Sequence, residues 1–374
     1  MAIQLREINL NKSSDVKEFA FLPWQIYKED STWVPPLKLA LIDLLSPKHP
    51  FYETAEVKCW IAEENTNAVG RVMAVVNKKY NEYNNAQLGF FGFFECVEKQ
   101  EVAKALLQKA ESFLKDKGMT AIQGPVNPST NYECGLLING YDDSPQIMMT
   151  YNPKYYLQFL EDQNYTKNKD LIAYQFEIAK GMPPKIKRIA EMVRKRGKVK
   201  FRQIDLKNWN RDIAILQDIY NEAWEANWGF VPMTPEEFAH TAKDMKSIVD
   251  PNLLIIAEVD GEAAGFILTL PDYNQVFKKI PNGKLLPTGI FKLLFGKKKI
   301  TRTRTITLGV KSKFRKYGLE TVLYDQCCNN IHAAGYVETE MSWILEDNLL
   351  MNKPLLAMGA KPYKTYRIYG KELN

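Results

Sequence analysis

Thr307-Leu308-Gly309-Val310-Lys311-Ser312-Lys313-Phe314-Arg315-Lys316-Tyr317-Gly318-Leu319-Glu320 runs from an apolar strand through a basic turn into a helix. The helical pattern continues over 320–334 and closes on Gly335, a residue suited to the left-handed conformation that ends helices. A helix that starts this way is an anion site. Its first backbone N–H groups have no partner within the helix, and the helix dipole favours negative charge there. Gly318 lets the backbone approach a phosphate with no Cβ in between. Arg315, Lys316 and Lys313 supply charge-assisted contacts.

The elements around this stretch occur twice. Trp60-Ile61-Ala62-Glu63-Glu64-Asn65-Thr66-Asn67-Ala68-Val69-Gly70-Arg71-Val72 and Ile255-Ile256-Ala257-Glu258-Val259-Asp260-Gly261-Glu262-Ala263-Ala264-Gly265-Phe266-Ile267 are both strand–turn–strand patterns, offset by 195 residues. After the first comes an aromatic strand over 89–96 and a helical pattern carrying Val102, Ala105, Leu106, Ala110 and Phe113. A strand over 120–123, a short helix near 155–160 and a strand over 171–176 follow. After the second come strands over 306–310 and 338–345, a short helix near 348–358 and a last strand near 363–369. The predicted fold class is α+β (mixed α/β), each half a mostly antiparallel sheet flanked by helices. The expected division is a domain over 1–178, a linker with a basic helix over 179–200, and a domain over 201–374. Met182-Pro183-Pro184 breaks the chain there, and a basic amphipathic helix over 185–196 follows.

The second half resembles the GNAT superfamily of acyl-CoA N-acyltransferases. Arg315 and Gly318 match its [RQ]-x-x-G-x-[GA] loop between strand and helix, and Asn348 and Gly359 match its later positions. Glu320 stands where that pattern has a small residue, Ala360 replaces an aromatic, and Leu355 occupies the place of a tyrosine general acid. The first half resembles a degenerate second copy, because its corresponding loop over 97–100 has neither glycine nor arginine. The resemblance implies an acetyl-CoA or other acyl-CoA cofactor. It implies that Leu308, Gly309, Val310, Arg315, Lys316, Tyr317, Gly318, Leu319, Glu320 and Asn348 form its site.

Moving an acyl group from a thioester to an amine requires the free base of a group whose pKa in water is about 10. A carboxylate beyond the strand over 338–345 can take that proton. Glu346 is the first choice, followed by Asp347 and Glu340; as a plain turn, Glu346-Asp347-Asn348 caps the next helix instead. The candidate catalytic residue alongside Glu346 is Tyr363; Tyr363, Tyr366 and water are alternative proton donors to the thiolate. Trp224 and Trp228 follow the first helix of the second half, where the resemblance implies acceptor contact. Asn127, Asn131 and Tyr151 lie in loops dense in Asn, Tyr and Pro that suit a pocket wall or ordinary turn chemistry.

Composition narrows the alternatives. The 374 residues carry a net charge of +6, and no apolar run reaches the length of a membrane span. The start, Met1-Ala2-Ile3-Gln4-Leu5-Arg6-Glu7, lacks the pattern of a secretory leader, and five cysteines without CxxC spacing read as reduced thiols, so a cytoplasmic location is expected. Three scattered histidines give no metal motif, and GxSxG and GxxxxGK[ST] are absent, so no metal, serine-hydrolase or P-loop chemistry is expected. Between Asp272 and Glu320 there are thirteen basic residues and no acidic one, leaving the rest of the chain net acidic. Such a local excess suits a localised anion rather than a general nucleic-acid coat. Within it, the apolar run over 289–296 adjoins Lys297-Lys298-Lys299. A membrane-surface or acyl-chain contact through 289–304 is one reading; a loop helix packed on its own domain is the other.

The expected function is acyl transfer, acetyl first, from coenzyme A to a small-molecule amine or peptide. An aminoacyl-tRNA-dependent transferase and a non-catalytic acyl-CoA-binding protein are the alternatives.

Overall fold

The computed structural model describes residues 3–195, 199–225 and 227–373. They divide into two compact units. The first comprises Met1–Leu171, Asn274–Gly296 and Lys364–Asn374; the second comprises Ile172–Tyr273 and Lys297–Tyr363.

In the first unit the strands lie in the order Gln4–Glu7, Ala55–Glu64, Asn67–Asn77, Leu88–Cys96, Ala121–Gly124 and the last residues of Lys361–Glu372. All these neighbours are antiparallel except Leu88–Cys96 and Ala121–Gly124. The second unit repeats the scheme with Val199–Gln203, Leu254–Val259, Glu262–Pro271, Arg302–Val310 and Glu338–Leu345, where only the last pair is parallel. Both units are α+β, as the strand and helix patterns predict.

The repeat extends to the hairpin register. Ala62 pairs with Gly70 and Glu63 then pairs with Ala68; Ala257 pairs with Gly265 and Glu258 then pairs with Ala263. The same bulge thus falls 195 residues apart, at the offset of the two sequence patterns.

One helix covers each sheet after its fourth strand. In the first unit, Gln100–Asp116 buries Val102, Ala103, Leu106, Leu107, Ala110 and Leu114 at helical spacing. Leu106 and Leu114 lie where Cβ atoms on Gly70 and Gly89 would stand, at 2.7 and 2.5 Å, so small residues there let the helix seat on the sheet. In the second unit, Leu319–Ala333 buries Leu319, Val322, Leu323, Tyr324, Cys327, Cys328 and Ile331.

The region 179–200 is part of the second unit. Its helix, Pro184–Lys195, packs Ala190 and Val193 on Val322, and Arg194 pairs with Asp325 at 2.7 Å. Arg196, the last residue of the expected basic helix, lies outside the described residues.

Two segments from the far end of the chain complete the first unit. The edge of Ala121–Gly124 needs a partner for its backbone groups. It finds one in the C-terminal strand, where Tyr369 faces Gly124 and Glu372 faces Ala121. Segment 274–296 attaches through Gly283, whose carbonyl accepts from Lys38 N at 2.9 Å, and Pro281, whose carbonyl accepts from Trp24 Nε1 at 2.8 Å. A cut of the chain near 178 separates this unit from both. All five cysteines are buried, and none forms a disulfide among the described residues. No described helix is long and apolar enough to cross a membrane.

Candidate active site

Each unit opens a wedge between its two parallel strands. In the second unit the parallel ladder runs from Arg302–Glu338 to Thr305–Met341 and stops, while the strands continue to Val310 and Leu345. The freed length of the first strand carries Leu308, Gly309 and Val310. Its other edge stays paired, with Gly309 facing Phe266 and Val310 facing Gly265.

The turn Ser312–Tyr317 leads from this strand to Gly318, which sits at φ 72° as the N-cap of Leu319–Ala333 and brings no capping side chain. A helix mouth without a side-chain cap, preceded by Arg315 and Lys316, fits a diphosphate. Among the described residues Arg315 donates only to the Ala223 carbonyl at 3.4 Å, and Lys316 has no carboxylate partner.

Acidic residues on the preceding helix, Trp209–Trp224, temper the rest of this basic turn. Glu222 accepts from the amide and the hydroxyl of Ser312, both at 2.8 Å, and Asp218 pairs with Lys311 at 2.5 Å. Lys313 pairs with Glu262 at 2.6 Å. Glu320 is half-buried; burial pushes its carboxyl up, opposed by a hydrogen bond from its own amide and by Arg315. Neither acidic partner was visible in the motif; their i, i+4 spacing on one helix face is the only sequence signal.

Trp224 ends its helix against the same strand. It stacks on Tyr220 at 4.8 Å and covers Gly309. Trp228 lies four residues beyond, partly buried. Trp224, Leu308, Gly309, Val310 and Arg315 therefore meet in one place.

The remaining expected residues of this unit take local roles. Asn348 caps Leu349–Met358 by accepting from Met351 N at 3.2 Å. Glu346 is half-buried just beyond its strand, and its carbonyl accepts from Asn352 Nδ2 at 3.2 Å. Tyr363 donates to Glu340 Oε2, while Ser342 donates to Glu340 Oε1. Arg304 donates to Ser342 Oγ at 2.8 Å and stands 3.6 Å from Glu340. Glu340, Ser342 and Arg304 are all buried. This satisfied network stands at the last rungs of the ladder, where the wedge begins. Strand alternation puts Glu340 and Ser342 on one face, but Arg304 and Tyr363 join them only in the fold.

In the first unit the wedge is closed by the chain itself. The parallel ladder ends at Phe90–Gln123, and the short strand Val126–Asn127 then lies along Leu88–Cys96. Asn127 Oδ1 accepts from Phe93 N at 2.6 Å, and a Cβ on Gly92 would meet the Val126 carbonyl at 1.5 Å. Asn131 sits in the following turn, its amide donating to Ser129 Oγ at 3.2 Å.

Beyond the closed wedge lies a buried ionic cluster. Glu95 accepts from Tyr27 at 2.7 Å and Tyr156 at 2.8 Å and lies 3.6 Å from Arg71. Burial raises the Glu95 carboxyl, against the lowering by Arg71 and the two hydroxyls. Tyr27 also stacks on Trp33 at 5.0 Å and walls an open cavity of about 600 Å³ together with Gln25, Asp30, Pro153 and Tyr155. Tyr151 donates to Asp30 at 2.8 Å; burial and that carboxylate push its hydroxyl pKa up. The expected substrate residues thus fall into two groups: Trp224 and Trp228 in the second unit, and Asn127, Asn131 and Tyr151 in the first.

Comparison with known proteins agrees with this architecture. The profile of the acetyltransferase (GNAT) family matches residues 24–135, the half with the closed wedge. The chain is 34% identical to protein YghO of Escherichia coli strain K12, over 97% of its own length and 94% of that protein. It is also 34% identical to the bacterial ceramide synthase of Caulobacter vibrioides, over 99% and 98%. Among solved structures it is similar to a tandem GNAT protein from the clavulanic acid biosynthesis pathway, with a TM-score of 0.58, 11% identity and 100% and 99% coverage. A GCN5-related N-acetyltransferase from Sphaerobacter thermophilus gives 0.55, 13%, and 100% and 96%. At such identities these two structures speak for the fold. The full-length relatives and the doubled wedge together make the chain a member of the GNAT acyltransferase superfamily, with two GNAT-like domains in tandem.

Proposed function

We propose that this protein is an acyl-CoA-dependent N-acyltransferase whose acceptor is the primary amine of a long-chain amino alcohol, giving an amide of the ceramide type. The observation that carries this reading is the 34% identity to the Caulobacter ceramide synthase along 98% of that protein. The donor site proposed is the open wedge of the second unit. There Arg315, Lys316, Tyr317, Gly318, Leu319 and Glu320 surround the helix mouth that suits a diphosphate, and Leu308 and Val310, on either side of Gly309, present backbone amides to a carbonyl oxygen that gains negative charge. The bound thioester supplies the activated acyl group. Asn348 fixes the helix that follows the wedge. Glu346 is the proposed acceptor of the amine proton. Tyr363, held by Glu340, is the proposed donor of a proton to sulfur.

The acceptor places a demand of its own, because a long-chain amine needs an apolar or amphipathic wall. Trp224 and Trp228 offer one in the second unit. The open cavity walled by Tyr27, Asp30 and Tyr155, where Tyr151 donates to Asp30, offers another in the first.

The test is a matrix of acyl-CoA donors, acetyl to long-chain, against sphinganine, polyamines and amino acids, read by mass spectrometry of the amide and release of thiol. Amide formation with sphinganine is expected. Turnover only with short polar amines would overturn the acceptor, and CoA binding without turnover across the matrix would make the protein a binding module.

A further inference from the structure

We propose that helix Gly289–Gly296 is an interfacial anchor that docks the protein on an anionic phospholipid surface. The helix has two apolar faces. One is satisfied: Gly289 is buried, and a Cβ on Gly296 would stand 2.8 Å from Val276, so this face seats on the neighbouring helix Asn274–Phe277. The other is bare. Phe291, Leu294 and Phe295, at i, i+3 and i+4, are 58%, 61% and 72% exposed, and Leu286 just ahead of the helix is 73% exposed. Four large apolar side chains in ten consecutive residues, this exposed, exceed the scattered apolar exposure of an ordinary soluble surface.

Charge selects the occupant. Lys284 precedes the helix and Lys297, Lys298 and Lys299 follow it; all four are exposed and none has a carboxylate partner among the described residues. No acidic residue occurs anywhere between Asp272 and Glu320. An exposed apolar face flanked by unpaired lysines suits a bilayer with negative headgroups: apolar side chains enter the acyl boundary while lysines stay at the phosphates. A protein partner would have to supply acidic groups on both sides of an apolar groove. The anchor is also fixed rather than dangling, because Pro281 and Gly283 in the same segment bind Trp24 and Lys38 of the first unit. Trp24 immediately precedes the residues Gln25–Ser31 that wall the open cavity. A bilayer-bound helix therefore holds the mouth of that cavity near lipid.

The proposal is read by vesicle binding without turnover, so it and the proposed acyl transfer fail separately. The full chain is co-sedimented with vesicles of phosphatidylcholine alone and of phosphatidylcholine with phosphatidylglycerol. Binding is expected to the mixed vesicles and to weaken with salt. The triple variant Lys297→Gln/Lys298→Gln/Lys299→Gln should lower partitioning by about five-fold per lysine, and Phe291→Ser/Phe295→Ser by roughly ten-fold or more. Both variants alter exposed side chains, and an unchanged thermal midpoint verifies their fold. Equal partitioning onto neutral and anionic vesicles, or no change in either variant, overturns the proposal. So does a Phe291→Ser/Phe295→Ser protein that turns from dimer to monomer while its vesicle binding stays the same; the face would then belong to a second copy of the chain.

Discussion

The indole of Trp224 lies on Gly309 so closely that a Cβ on Gly309 would come within 2.3 Å of its ring carbon Cζ3. The end of one helix is thereby keyed to the strand that borders the open wedge. Gly309→Ala is expected to destabilise the protein by about 1–3 kcal/mol, the usual cost of overpacking, as read by urea unfolding. Trp224→Leu in the same chain should restore part of that loss. A double mutant no more stable than Gly309→Ala alone would show that the close contact is not what makes glycine necessary.

Glu320 tests whether the helix mouth holds a diphosphate. Burial raises its carboxyl above the ordinary 4.5, while its own amide and Arg315 lower it, with burial prevailing. A carboxylate there repels phosphate, and its protonation removes the repulsion. Coenzyme A binding should therefore tighten as pH falls into the titration range of this group. Glu320→Gln should bind roughly five-fold tighter at neutral pH, corresponding to about 1 kcal/mol, with a flatter pH profile. Calorimetric titration with coenzyme A measures both, and Arg315→Ala should weaken binding in the same assay.

Tyr363 and Glu340 share a hydrogen bond inside a buried network with Ser342 and Arg304. If Tyr363 protonates the departing sulfur, Tyr363→Phe should lower kcat by about 10²-fold and leave KM for the acyl donor nearly unchanged. Glu346→Gln should also lower kcat, as expected for an acceptor of the amine proton. A Tyr363→Phe enzyme with full kcat would confine the tyrosine to supporting Glu340.

Asp212 is expected to contribute to acid stability in the second unit. Burial pushes its carboxyl up, but hydrogen bonds from Arg202, from the Asp205 amide and from Arg211 outweigh that and hold it below the ordinary 3.8. Arg202 grips it at 2.7 and 3.1 Å. A lowered folded-state pKa contributes stability that is present above the unfolded value and lost as pH falls through the folded one. Asp212→Asn should cost about 3 kcal/mol near pH 7 and unfold with less dependence on pH below about 4. Urea midpoints across that range give the answer.

The doubled hairpin was legible because its signals are local: alternation, turn residues and an offset shared by two stretches. The coincident bulges at Ala62–Gly70 and Ala257–Gly265 show that the offset carries structure as well as composition. Gly318 was legible for the same reason, since a turn and a helix start lie within a few residues. Ionic partners were harder to see. Arg71 and Glu95 are 24 residues apart in the chain, and Glu340 and Tyr363 are 23; nothing in their neighbourhoods marks one for the other.

The sequence by itself determined two copies of a strand–hairpin–helix plan and placed an uncapped, basic helix mouth in the second. Short-range backbone preference and side-chain periodicity suffice for that. Only the tertiary structure decided that the first wedge is filled by Val126 and Asn127 and that residues 274–296 and 364–374 belong to the first unit. Backbone hydrogen bonding is the reason. A buried strand edge must be paired, but its N–H and C=O groups are the same in every residue, so a strand's own sequence does not name the edge it will join.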